Sequence, residues 1–305
     1  MIVALSMNPG WDKTASISRF RLDAANRIQA ERLDVGGKGV NAARAAHELG
    51  EETKLVGFDY LGEPMKAAMA QENIPCRLFP LSGDMRVNLK LRETETGRTI
   101  EISERGAAVT EAQITAVLHG LLEEAKAGAW YILADSLPPG APADTYRRFC
   151  GAIQAWGCAV AVDCGGEALR EAIQAKPALV NLDIREFCEL TGADPENRQD
   201  VLNACRRLCF QGVGRVFLTW GSEGVWLVSA RGAWACDGAK IEESSAQDAG
   251  DTMLAAILAA LSRGMPDPEA LWFASAAVMH PDATLCRRNE KDALLPELSA
   301  RPLIL

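Results

Sequence analysis

The stretch Ala246-Gln-Asp-Ala-Gly-Asp-Thr-Met-Leu-Ala-Ala-Ile-Leu-Ala-Ala260 runs a small, acidic, glycine-containing turn directly into an apolar helix. A helix start offers unpaired backbone N–H groups and the positive end of the helix dipole, and Asp251 projects a carboxylate from the first turn. This is equipment for phosphoryl transfer. Such amides would hold the transferring phosphate. The carboxylate would take the proton of an attacking hydroxyl, a general-base role worth roughly 10²–10⁴ in rate. Asp248 and Asp251, three residues apart, are also an ordinary way to cap a helix, so two readings stand on this stretch alone.

Working outward, a second glycine cluster bears on the choice. Asp34-Val-Gly-Gly-Lys-Gly-Val-Asn41 also opens an apolar-periodic helix, with Val40, Ala43, Ala46 and Leu49 on one face and Gly50 as its stop. Two such helix starts in one chain predict a site split between distant segments.

The 305 residues suffice for one large α/β domain or two smaller ones. A formal charge of −9, with no basic run, argues against a nucleic-acid surface. Any phosphorylated substrate must then be held by a few local cations. The nine cysteines are scattered, odd in number and mostly set in apolar runs, the pattern of reduced core thiols. Cys205 and Cys209 form a C-x3-C pair with no histidine or second pair nearby, which reads as helix packing rather than zinc. His47, His119 and His280 are too dispersed for a metal site or a catalytic triad. No apolar run reaches about 18 residues and no basic segment leads an apolar N-terminal stretch, so the expectation is a cytoplasmic protein without membrane attachment.

Short β-rich runs alternate with helical patterns. Strands are predicted at Ile2–Ser6, Lys54–Phe58, Ala129–Ala134, Ala159–Asp163, Ala178–Asn181, Val216–Thr219 and Val225–Val228. Helices are predicted at Glu63–Gln71, Glu111–Ala125, Ala143–Ala155, Gln199–Gln211, Asp251–Arg263 and Pro268–Met279. The alternation implies an α/β fold, a mainly parallel sheet with helices on both faces and ligands beyond the carboxyl ends of the strands. Met85–Ser103 breaks the rhythm and reads as a β-hairpin around Glu95-Thr-Gly-Arg98, while Thr14–Leu33 lacks a helical period. The expectation is a single domain, 1–305, with a small β lid from about 12–33 and 85–104.

In order and spacing these pieces resemble the ribokinase-like carbohydrate kinases, the PfkB family, in particular its branch of 1-phosphofructokinases and tagatose-6-phosphate kinases. The match spans Met7-Asn-Pro-Gly-Trp-Asp12, Asn26-Arg27, the run from Gly36 to Gly50 and Arg86-Val-Asn88. It continues through Ser136-Leu-Pro-Pro-Gly140, Asp163 with Gly166-Glu-Ala-Leu169, Thr219-Trp-Gly-Ser-Glu-Gly224 and Ala249-Gly-Asp251. No G-x4-GK[ST] loop is present.

The resemblance implies an ATP- and Mg²⁺-dependent kinase acting on a sugar phosphate, with a ribokinase-like fold. It implies Asp251 as base and the amides of Ala249, Gly250 and Asp251 as anion hole. Asp12 and Asn41 would bind sugar hydroxyls beside Gly36 and Gly37. Arg27, Lys38, Arg86 and Ser136 would grip the phosphate already on the substrate. Thr219, Gly221 and Gly224 match the family's nucleotide turn, Asp183 falls near it, and Glu186 matches the carboxylate used around Mg²⁺. Each also has an ordinary structural reading: Asp12 as a turn residue, Arg27 and Arg86 as solvated strand charges, Gly221 and Gly224 as a plain hairpin turn.

The chain departs from the family pattern at three places. Asp248 stands where the family has glycine, beside Gln247. A carboxylate about 5 Å from a phosphate costs on the order of 3 kcal/mol per unit charge at an effective dielectric near 20. Asn181-Leu-Asp-Ile-Arg-Glu186 replaces a Lys-Pro-Asn-x-x-Glu stretch, so Asp183 stands for an amide. Asp135 stands for a glycine in the segment before Ser136, and Ser103-Glu-Arg-Gly106 replaces an Asn-x-Pro-Gly. The expectations are therefore a phosphosugar kinase or, in a second reading, a degenerate relative that binds sugar phosphate or nucleotide as a sensor. The exposed edge of the 86–103 hairpin suits a homodimer.

Overall fold

Leu-, Val- and Ile-rich runs such as Ile2–Ser6, buried at every position, make strands that are covered on both faces. The computed structural model describes residues 1–221, 224–236, 249–278 and 300–303. The first half comprises β1 (Ile2–Ser6), β2 (Gly10–Ile17), β3 (Ala30–Gly36), α1 (Lys38–Glu48), β4 (Thr53–Asp59), α2 (Pro64–Gln71) and β5 (Cys76–Pro80). It ends with β6 (Arg86–Glu93), β7 (Thr99–Ser103), α3 (Glu111–Glu123), β8 (Trp130–Ala134) and α4 (Thr145–Gln154). Then come β9 (Ala159–Asp163), α5 (Gly166–Gln174), β10 (Leu179–Asp183), α6 (Ile184–Thr191), α7 (Arg198–Phe210) and β11 (Arg215–Thr219). Last are β12 (Val225–Ser229), β13 (Gly232–Cys236), α8 (Ala249–Ser262), α9 (Asp267–Ala277) and β14 (Arg301–Pro302).

The main sheet runs β14-β13-β12-β11-β10-β9-β8-β1-β4-β5, parallel from β11 to β5 and antiparallel at the β12–β14 edge. The chain leaves β1 toward β4 and β5, then returns to the other side of β1 through β8. Right-handed crossovers consequently place α1 and α4 on opposite faces. The carboxyl ends of β1 and β8 diverge at this switch point, where an α/β sheet opens a crevice. Gly39, in the first turn of α1, packs directly on β1: an added Cβ would sit 2.1 Å from the Leu5 carbonyl oxygen. Only glycine lets the amino end of α1 approach the crevice this closely. The helix closes as its sequence predicts, with Gly50 at φ 80° and the Glu51 and Gly50 amides donating to the Ala46 and His47 carbonyls.

α8 is apolar almost all round, and Met253–Ala260 is buried without a break. It packs against α1 and α9, so the two helix starts singled out from the sequence lie on neighbouring helices.

The second sheet, β3-β2-β6-β7, is formed by the segments expected to stand apart from the main one. Its register gives it two unlike faces. Asp34, Asp12, Asn88 and Ser103 align across one face, and Leu33, Lys13, Leu89 and Ile102 align across the other. Leu33 and Ile102 are exposed, as is Leu22 in the connection after β2. Among the described residues no helix is long and apolar enough to cross a membrane. Cys205 is buried within α7 and Cys209 donates to the Val228 carbonyl oxygen, so the C-x3-C pair packs this helix on β12.

Candidate active site

The polar residues of the crevice sit at or near the carboxyl ends of five neighbouring strands: Ser6 on β1, Asp135 after β8, Asp163 on β9, Asn181 two residues before the end of β10 and Thr219 on β11. The two glycine-containing helix starts meet over them. Asp251, in the first turn of α8 and 7% exposed, accepts a hydrogen bond from Asn41 Nδ2 of α1 at 3.0 Å. The side chain of Lys38 pairs with Asp163 Oδ1 at 2.6 Å, and Asp163 Oδ2 accepts from Asn181 Nδ2 at 2.7 Å. Burial would lower the Lys38 ammonium pKa, but Asp163, Glu186 and Asp251 around it more than offset this and raise it above the ordinary lysine range. Burial raises the Glu186 carboxyl above its usual value, with Lys38 limiting the rise. Lys38, Asp163, Glu186, Asn41 and Asp251 thus form one electrostatic cluster.

The second cluster lies where β2 and β6 meet the end of β1. Gly10 and Asp12 of β2 stand beside Arg86 and Asn88 of β6 in register. Asp12 Oδ1 accepts from Asn88 Nδ2 at 2.8 Å, and its other oxygen lies over Gly36, where an added Cβ would come within 1.9 Å. Gly36 is therefore a glycine because the carboxylate of Asp12 occupies its side-chain space. Arg86 is buried, and its Nε donates to the Asn8 carbonyl oxygen at 2.9 Å while Nη1 donates to the Glu104 carbonyl oxygen at 3.4 Å. Asn8 Nδ2 in turn donates to Ser136 Oγ at 3.2 Å and to the Arg105 carbonyl oxygen at 3.1 Å. Three amide oxygens, of Asn8, Asn88 and Asn181, are buried without a hydrogen-bond partner among the described residues. Unsatisfied acceptors of this kind cost about 1–3 kcal/mol each in a closed core and are expected where a ligand's hydroxyls complete the bonding.

Arg27 is not brought into this cluster. It lies on the exposed connection between β2 and β3, without a hydrogen bond or ion pair among the described residues. Thr219 ends β11, with its hydroxyl donating to the Leu182 carbonyl oxygen at 3.4 Å. Gly221 and Gly224, at φ 52° and 92°, turn the chain from β11 into the antiparallel β12, so the hairpin reading holds for their backbone. Asp183 caps α6. Its Oδ1 accepts from the Glu186 amide at 2.8 Å, while Glu186 Oε2 accepts from the Asp183 amide at 3.2 Å, and Arg185 pairs with the other Asp183 oxygen at 3.2 Å. An aspartate caps as well as the asparagine it stands for, and its charge is matched locally. Asp248, with Gln247, lies outside the described residues, as do Cys286 and His280.

Sequence reasoning passed over Asn8, Asn88, Asn181 and Asp163 as site residues. For Asn88 a local signal existed, since Arg86 and Asn88 alternate onto one strand face. For the Lys38 to Asp163 pair, 125 positions apart, none did.

The strand-end crevice thus gathers two helix starts and a carboxylate beside an amide and a lysine. The chain belongs to the pfkB family of carbohydrate kinases, whose profile, described as "pfkB family carbohydrate kinase", matches residues 5–280. It is a carbohydrate kinase, and ATP use follows from that class. The 1-phosphofructokinase of Rhodobacter capsulatus is 30% identical over 280 residues, covering 90% of this chain and 88% of that protein. The 1-phosphofructokinase of Bacillus subtilis (strain 168) is 28% identical over 272 residues, with 88% of each chain covered. Phosphofructokinase-2 from Escherichia coli in complex with fructose-6-phosphate shares the fold at TM-score 0.88 and 24% identity, over 97% of this chain and 98% of that one.

Proposed function

We propose that the protein transfers the terminal phosphoryl group of ATP to a free hydroxyl of a ketohexose monophosphate, such as fructose 1-phosphate or tagatose 6-phosphate, giving the bisphosphate. The observation that carries this reading is the Asn41 to Asp251 hydrogen bond, which joins the base candidate on α8 to the glycine cluster of α1. Asp251 takes the hydroxyl proton as the oxygen attacks. The amides of Ala249, Gly250 and Asp251 receive the charge on the transferring group, and Lys38, which the resemblance put on the substrate's own phosphate, instead adds a cation beside them from its pairing with Asp163.

Asp12, Asn41 and the backbone at Gly36 and Gly37 orient the sugar. Arg86 and Ser136 hold its existing phosphate, and Arg27 reaches it only if the β2–β3 connection folds inward as the second sheet closes like a lid over a single-domain body. Thr219, Gly221 and Gly224 lie along the nucleotide. Asp183 acts there through its cap on α6. Glu186, raised in pKa and beside Lys38, is a fitting ligand for Mg²⁺, which takes one or two carboxylates together with substrate phosphates and water. The ion's contribution is neutralisation of phosphate charge. The face carrying Leu33, Lys13, Leu89 and Ile102, with Leu33 and Ile102 exposed, supports pairing of second sheets between two copies, which sedimentation of the purified protein decides.

The test is ADP release with Mg·ATP across fructose 1-phosphate, tagatose 6-phosphate, fructose 6-phosphate and their unphosphorylated parents. Turnover with a monophosphate is the expected result. No ADP above background across the panel, from protein that binds ATP, would end the proposal.

A further inference from the structure

Asp135 follows β8 directly and is 2% exposed, yet neither its conformation nor its partners are those of a routine buried carboxylate. Its φ is 79°, the left-handed region that aspartate enters more readily than most residues. This turns the side chain back onto the amino end of α1. Oδ1 accepts the Lys38 backbone N–H at 2.7 Å, and Oδ2 accepts the Ser6 hydroxyl at 3.1 Å. An anion thus already occupies the dipole end of the glycine-rich helix.

The next residue is Ser136, whose hydroxyl accepts from Asn8, and Asn8 in turn holds Arg86 through its carbonyl. Arg86 gives two of the five N–H groups of a guanidinium to backbone carbonyls, and to no carboxylate among the described residues. The ionisable groups facing Asp135 are Arg86 of β6, Lys38 of α1 and Tyr146 of α4, whose hydroxyl donates to the Asp135 carbonyl oxygen at 3.1 Å. A phosphate arriving at Arg86 and Ser136 would enter a positive field that Asp135 already shares.

We propose that Asp135 sets acceptor specificity, its carboxylate competing with an incoming phosphate for the field of Arg86 and the amino end of α1. This rests on the reading of Arg86 and Ser136 as the anion-binding side of the site. Burial pushes the Asp135 carboxyl up to about 6, with Arg86 and its hydrogen bonds to Lys38 and Ser6 limiting the rise. The residue therefore changes charge just below neutrality. Anion binding at Arg86 tightens as Asp135 takes up a proton, and by linkage a bound anion draws that proton in. Neutral acceptors feel little of this.

Sulfate is the suitable probe, because a sugar phosphate titrates near pH 6 itself while sulfate keeps both charges. The full chain, with saturating ADP in its nucleotide site, is titrated calorimetrically with sulfate from pH 5.5 to 7.5 in buffers of differing ionisation enthalpy. Wild type should tighten roughly tenfold toward pH 5.5 and take up a fraction of a proton on binding near pH 6.5. Asp135→Asn keeps the shape and the acceptor for Lys38, and asparagine tolerates positive φ. It should bind at pH 7.5 as tightly as wild type does at 5.5, with a flat profile and no proton uptake.

The same pH slope and proton uptake in Asp135→Asn would overturn the proposal, as would failure of both proteins to bind sulfate. The two readings fail separately. Sulfate binding with the expected slope but no turnover of any sugar phosphate removes the kinase acceptor assignment and leaves Asp135 in place. Turnover with an unchanged slope in the variant does the reverse.

Discussion

Lys38 of α1 and Arg86 of β6 both face Asp135 and are held in opposite ways. Lys38 is partly exposed and has a carboxylate at 2.6 Å, with two more close enough to raise its pKa. Arg86 is buried, and its hydrogen-bond acceptors among the described residues are backbone carbonyls. The first cation is neutralised in the resting protein and keeps its charge by virtue of its neighbours. The second is buried, shares the field of Asp135 and has no carboxylate at hydrogen-bond range among the described residues, so an arriving anion would complete its bonding. The contrast suits two tasks: a lysine that meets charge appearing only during transfer, and an arginine that meets a charge the substrate brings with it.

The hardest test removes the base from the Lys38 cluster. Asp251→Asn should lower kcat at least a hundredfold while acceptor and ATP dissociation constants stay within about threefold, because an amide keeps the Asn41 contact and loses only the proton acceptor. Unchanged turnover would strike Asp251 from the mechanism and leave the lysine without a transfer centre to serve.

The comparison itself is broken or sharpened by matched substitutions at the two cations. Arg86→Lys retains a charge but loses the planar fork, and the KM for a phosphorylated acceptor should rise on the order of tenfold to a hundredfold with kcat much less affected. Lys38→Met should do the opposite, lowering kcat by a similar factor at nearly constant KM. Steady-state kinetics with a sugar phosphate reads both. If both substitutions move the same parameter, the division of labour is wrong.

How much of this was legible in the sequence differs between the same two regions. The backbone of both was readable. Buried β-runs and 3.6-residue periods fixed most main-sheet strands and helices to within one or two residues, and the 85–103 alternation announced the β6–β7 hairpin. The half-buried Cys76–Pro80 strand was invisible, because a short edge strand without alternation has no period to detect. Within the Lys38 cluster, Asn41, Asp251 and Glu186 stood out through their motifs. Asp163 and Asn181, which complete that cluster, are joined to it only by the sheet order β8-β9-β10. In the Arg86 cluster the sequence left buried and solvated readings equally open for Arg27 and Arg86. Tertiary contacts decided between them, burying one under Asn8 and leaving the other outside. Asp183 shows the reverse lesson: a carboxylate suspected of spoiling the nucleotide site is a helix cap with a capping box of its own.

A smaller effect links the two clusters through the residue that both cations face. Because burial raises the folded-state pKa of Asp135 to about 6 against about 3.9 in an unfolded chain, the folded protein binds this proton more tightly than the unfolded one. The stability that the neutral acid contributes is fully present below about pH 4 and is lost as pH rises through about 6. At one pKa unit per 1.36 kcal/mol the difference is on the order of 2 to 3 kcal/mol. Asp135→Asn is neutral throughout, so its stability relative to wild type should climb across that window and then level off above about pH 7. Urea denaturation of both proteins at pH 4.5, 5.5, 6.5 and 7.5 measures the climb. A constant offset across the four values would mean that the carboxylate is ionised at no cost, with Arg86 and the amino end of α1 already compensating it.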